Sequence, residues 1–89
     1  MLTREVEIIN RLGLHARAAA KFVHLAGRFE SRILVARDSH EVDGKSILGI
    51  LLLAATRGTR LRITTDGPDE RQAIDALASF VDERFGEEI

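Results

Sequence analysis

Arg60-Leu61-Arg62-Ile63-Thr64-Thr65-Asp66-Gly67-Pro68-Asp69-Glu70 joins a strand to a helix in one short stretch, and this junction decides the fold class. Leu61 and Ile63 alternate with charged neighbours, the period of two of a strand with one buried face. Asp66-Gly67 breaks that pattern. Pro68 falls near the first helical position and the acids Asp69 and Glu70 lie in the first turn, where they complement the helix dipole. Beyond them Ile74, Leu77, Ala78, Val81 and Phe85 keep helical spacing, which predicts a helix to about Arg84 with one apolar stripe. A one-faced strand followed by a one-striped helix predicts a layer of helices on a sheet.

The same two periods recur towards the N-terminus. Thr3 to Ile9 alternates, with Val6 and Ile8 on one side, and Asn10 to Gly13 is a polar break. Ala16 to about Leu25 is alanine-rich and helical, with Ala19, Phe22, Val23 and Ala26 on one face and Gly27 as its stop. Arg32 to Arg37 is a second strand with Ile33 and Val35 inward, and after an Asp38-Ser39 turn His40 to Val42 is a third. A short apolar helix follows Ser46, from Ile47 to about Leu53, and Gly58 ends its connection to the Arg60 strand. The order is strand, helix, strand, strand, helix, strand, helix. An α+β sandwich, four strands covered on one face by helices, is the economical packing, as a single domain over residues 1–89.

Composition narrows the function. The chain is 45% hydrophobic and 30% charged, which suits a packed domain rather than disorder. With no cysteine, it has no disulfides, thiolate chemistry or Cys-based zinc site. Net charge is −1, and the four Phe are the only aromatics, so neither a basic footprint nor a stacking surface for nucleic acid is expected. The start Met1-Leu2-Thr3-Arg4-Glu5 meets charge at once, and the apolar run Ile47 to Ala55 falls well short of the ~20 residues that a bilayer crossing takes. A cytoplasmic protein without membrane insertion is the expectation.

His15 carries the clearest chemical signal. It stands immediately before a helix, where backbone N–H groups lack helical partners and the dipole adds positive potential. An imidazole there can accept a phosphoryl group, because histidine, with an ordinary pKa of about 6.5, offers a neutral nucleophilic nitrogen near neutral pH. Arg17 adds planar, charged donors suited to phosphate oxygens. Position alone favours a surface residue or a weak cap, and names neither donor nor acceptor.

Gly13-Leu14-His15-Ala16-Arg17 resembles the active-site motif of the HPr family, the histidine-containing phosphocarriers of the bacterial phosphoenolpyruvate-dependent phosphotransferase system. The likeness spans nearly the whole chain, since the length, the element order and Lys45-Ser46-Ile47-Leu48-Gly49 match as well. It implies an open-faced sandwich of a four-stranded antiparallel sheet and three helices. It implies His15 phosphorylated on Nδ1, Arg17 orienting the phosphate, and Ser46 as the regulatory phosphorylation position of some members, served by a dedicated kinase. It also implies two partners, Enzyme I as donor and IIA-type domains as acceptors, and no cofactor. One position departs: the family usually has proline after the Arg, and here Ala18 stands there. Alanine keeps the helix start and restores one N–H donor, so chemistry is expected to persist with slightly altered transfer energetics.

Ser46 also reads simply as a helix N-cap. Gly44-Lys45-Ser46 fails as a phosphate loop, because the first glycine of that motif would fall at Ser39. The second helix is apolar nearly all round, yet a short helix on a sheet buries only about half its girth. Ile47, Leu48 and Leu51, beside Ala16, Ala20 and His24, are therefore the expected docking patch; the alternative is a fully packed core helix. His24 and His40 have no ligand spacing with His15, so no metal site is expected. Glu83, Glu87 and Glu88 read as solubility and helix-end residues. A carrier that docks by turns on two partners is expected to be a monomer. Two alternatives remain: a regulatory member of the nitrogen-related branch with the same His15 chemistry, and a ferredoxin-like module that binds a small ligand.

Overall fold

The structure, a computed structural model, describes residues 1–88; Ile89, the last residue of the expected domain, lies outside the described residues. Four strands, β1 (Leu2–Glu7), β2 (Arg32–Arg37), β3 (His40–Asp43) and β4 (Arg60–Asp66), and three helices, α1 (Ala16–Ala26), α2 (Ile47–Leu52) and α3 (Glu70–Asp82), follow in the order read from the sequence. The sheet order is β1-β4-β2-β3, every neighbouring pair antiparallel. β4 is interior, inserted between β1 and β2 although it follows both in the chain: Val6 pairs Leu61, and Val35 pairs Ile63.

Period-two alternation puts Leu61, Ile63 and Thr65 of β4 inward and leaves Arg60, Arg62 and Asp66 exposed, so helices cover one face only. Val6, Ile8, Ile33 and Val35 join them beneath Ala18, Ala19, Phe22 and Ala26 of α1 and Ala73, Ile74, Leu77, Ala78 and Val81 of α3. From α2 only Ile50 is buried, with Leu53 just past its end. A fully packed second helix is thereby excluded.

Several boundaries differ from the sequence reading. Ile8 lies beyond β1 yet is fully buried, tied to the approach of β4 by Ile8 N–H to Thr59 O and Gly58 N–H to Ile8 O at 2.9 and 2.7 Å. Gly27 ends α1 in a right-handed conformation, φ −65°, not a left-handed stop; the helix tapers through Arg28 N–H to Leu25 O and Phe29 N–H to Ala26 O. Pro68 precedes the N-cap, which is Asp69. The Asp69 carboxylate spends itself elsewhere: it accepts the N–H groups of Glu30 and Ser31 at 2.9 Å and the Ser31 hydroxyl, fastening the α1–β2 loop to the start of α3. Helix α3 stops at Asp82, short of Arg84, because Arg84, Phe85 and Gly86 have φ of 58, 55 and 80°, which a right-handed helix cannot continue. Phe85 is still buried, edge-on to Phe80 at 5.5 Å between ring centroids. Among the described residues no helix is long and apolar enough to cross a membrane.

Candidate functional site

The loop before α1 is held from below. Gly13 has φ +66°, and a Cβ there would lie 2.7 Å from the Ala55 carbonyl oxygen, so only glycine fits without a shift. The next residue, Leu14, is buried and donates its N–H to the same Ala55 oxygen at 2.9 Å. His15 then becomes the N-cap of α1: its backbone is extended, φ −74° and ψ 177°, and its carbonyl accepts the Ala19 N–H at 2.8 Å. The side chain does not cap the helix. Ala16, Arg17 and Ala18 supply the first-turn N–H groups that have no helical acceptor.

The imidazole is 26% exposed and has one partner among the described residues, Nε2 against Oε2 of Glu87. The other Glu87 oxygen accepts Asn10 Nδ2 at 2.8 Å, and Asn10 Nδ2 also donates to Gly13 O at 2.8 Å. Asn10 is fully buried, and its Oδ1 has no partner among the described residues. Burial pushes the Glu87 carboxyl up, but hydrogen bonds from Asn10 and His15 and the charge of Lys21 outweigh it, holding the group below its ordinary value. Glu87 is thus a neighbour of the imidazole, not a solubility residue, whereas Glu83 and Glu88 are exposed as expected. No sequence signal marks Glu87 or Asn10, because both act across the fold.

Arg17 is exposed at the second helical position and makes no ion pair with another described residue. Ala18, where the family pattern has proline, is fully buried. Ser46 is the N-cap of α2, its Oγ accepting the Gly49 N–H at 3.1 Å. Ala16, Ala20 and His24, spaced by four on α1, are all exposed, and α1 packs against α2. Ile47, Leu48 and Leu51 of α2 are exposed too. The sequence reading missed two further exposed leucines, Leu12 in the loop before His15 and Leu52 at the end of α2. His40 is exposed at the start of β3.

The sequence and the fold have counterparts in known proteins. Residues 2–83 match the family profile described as the PTS HPr component phosphorylation site. The phosphocarrier protein HPr of Cupriavidus necator is 52% identical over 87 residues, covering 98% of each chain. A crystal structure of HPr from Thermoanaerobacter tengcongensis superposes with a TM-score of 0.96 over 100% of both chains at 43% identity. Another structure from that organism, described as an HPr dimer, has a TM-score of 0.79 and 44% identity, covering 92% of this chain and 94% of that one. These likenesses set aside the ferredoxin-like ligand-binding module. The chain belongs to the HPr family of phosphocarrier proteins of the phosphotransferase system.

Proposed function

We propose that this phosphocarrier takes a phosphoryl group onto Nδ1 of His15 from phosphorylated Enzyme I and passes it to IIA-type domains of sugar transporters. The observation that carries the reading is the state of the imidazole: at the mouth of α1, free of capping duty, with Nε2 engaged by Glu87 and Nδ1 without a partner among the described residues. In each transfer the phosphorus–nitrogen bond of the donor breaks as the Nδ1–phosphorus bond forms, and the reverse happens at the acceptor. The protein is a carrier rather than an enzyme, and this exchange requires no cofactor of its own. Arg17, unpaired by other described side chains, orients the phosphoryl oxygens.

Ala16, Ala20, His24, Ile47, Leu48 and Leu51 form the docking face that both partners use in turn, which suits a cytoplasmic monomer. Ser46 is the regulatory position. A phosphoserine at a helix N-cap is well tolerated there and sets negative charge beside that face. Incubation with phosphoenolpyruvate and Enzyme I tests the reading: an acid-labile, base-stable phosphate on the wild type, absent from His15→Ala, is expected. A wild type that gains no phosphate rejects it. Running the same assay with Enzyme I of the nitrogen-related branch tells which donor serves the protein.

A further inference from the structure

We infer that Glu87 is a positioning residue for the phosphoryl acceptor, taking the Nε2 proton of His15 so that the Nδ1 lone pair faces the phosphorus. The inference rests on the carrier reading above and adds a residue that the motif does not contain. An ionised carboxylate only accepts hydrogen bonds, and a neutral imidazole carries one N–H. A carboxylate oxygen against Nε2 therefore assigns the proton to Nε2 and the lone pair to Nδ1.

The placement is built rather than incidental. Three successive left-handed residues, Arg84 to Gly86, turn the chain back after α3, and buried Phe85 anchors that turn. Lys21 Nζ donates to Phe85 O at 3.4 Å, and buried Asn10 holds the second Glu87 oxygen. Both oxygens of Glu87 are occupied by donors, so its orientation is doubly determined. Phosphoryl transfer makes use of this. As Nδ1 bonds phosphorus the ring gains positive charge while Nε2 keeps its proton, and the adjacent carboxylate stabilises that charge. When the phosphoryl group leaves, the bonding pair returns to Nδ1 and the proton has not moved. A carboxylate orients and stabilises the histidine of a catalytic triad in the same manner.

The experiment combines ring spectroscopy with transfer kinetics on the full chain. Nitrogen-15 spectra of the unphosphorylated protein at neutral pH should show Nε2 protonated, with an N–H signal slow to exchange with water, and Nδ1 unprotonated. Glu87→Ala should lose the slow-exchanging signal, and its single-turnover phosphorylation by phospho-Enzyme I should fall roughly tenfold, the scale of one charge-assisted hydrogen bond, with KM little changed. Glu87→Gln keeps an oxygen for Nε2 without the charge; it should recover the signal but not the rate, an outcome that a merely structural tail would not produce. Proton on Nδ1 in the wild type, or wild-type transfer rates in both folded variants, would overturn the inference. A wild type that takes no phosphate overturns the carrier reading and the role in transfer together, and the ring spectra still report separately on the Glu87 contact.

Discussion

Replacing Leu48 by Asp tests the proposed docking face against the core side of the same short helix. Leu48 is 68% exposed, whereas Ile50, two residues on, is 0% exposed. Complete burial of a leucine side chain is worth about 1.5–3 kcal/mol, so the third that the fold already covers contributes only about 0.5–1 kcal/mol. The new carboxylate sits in the first turn of α2, where the dipole returns about 0.3–1 kcal/mol. The two terms nearly cancel, and the melting temperature should move little. Docking bears the loss instead. Covering the remaining two-thirds of Leu48 in an interface is worth about 1–2 kcal/mol, and a buried carboxylate without a partner adds to the deficit, so affinity should fall at least about tenfold. The control, Ile50→Ala, removes fully buried atoms and should cost the fold about 2–5 kcal/mol. KM for the protein as a substrate of phospho-Enzyme I, measured beside thermal denaturation, reads both quantities. Should Leu48→Asp melt as early as Ile50→Ala, or keep the wild-type KM, the assignment of this face to docking is wrong.

Three further outcomes are expected. Gly13→Ala places a Cβ 2.7 Å from Ala55 O and 2.9 Å from Thr56 Cα at φ +66°, so the loop must move and stability should drop by about 1–3 kcal/mol; an unchanged urea midpoint contradicts the reasoning. Ser46→Ala removes the acceptor of the Gly49 N–H and should cost about 0.5–2 kcal/mol, whereas Ser46→Asp restores a cap; equal melting of the two variants would deny the cap its role. Asp69 is held below its ordinary 3.8 by the Ser31 hydroxyl and then the Glu30 N–H, and Glu70 below 4.5 by the Gly67 N–H and then the N-terminal ammonium. Carboxyls depressed in the folded state stabilise it above their unfolded values, and that contribution fades as pH falls through the folded ones. Urea midpoints should therefore decline below about pH 4.5, and Asp69→Asn should flatten the decline; a level profile into strong acid speaks against both contacts.

Most of the architecture was legible in local pattern. The alternation of Leu61 and Ile63, the stripe from Ile74 to Val81 and the polar breaks between them name the elements, because each segment's periodicity reports whether one of its faces meets the core. The unusual girth of apolar residues in α2 was legible for the same reason: six residues cannot hide them all, and Leu48 and Leu52 stand out in solvent. His15 before an alanine-rich helix could be read too, since a helix start is a local event.

What belonged to the tertiary structure alone was every contact between distant segments. Asp69 looks like a helix-starting acid, yet its oxygens hold Ser31 in another loop. Glu87 looks like one more solvated acid at the end of a helix, yet the left-handed turn from Arg84 to Gly86 returns it to an imidazole 72 residues earlier. A carboxylate has the same one-dimensional signature whether it faces water or a partner. Periodicity is a property of a single segment, but the partner of a side chain depends on the path of the whole chain through space, and only the folded path settles that.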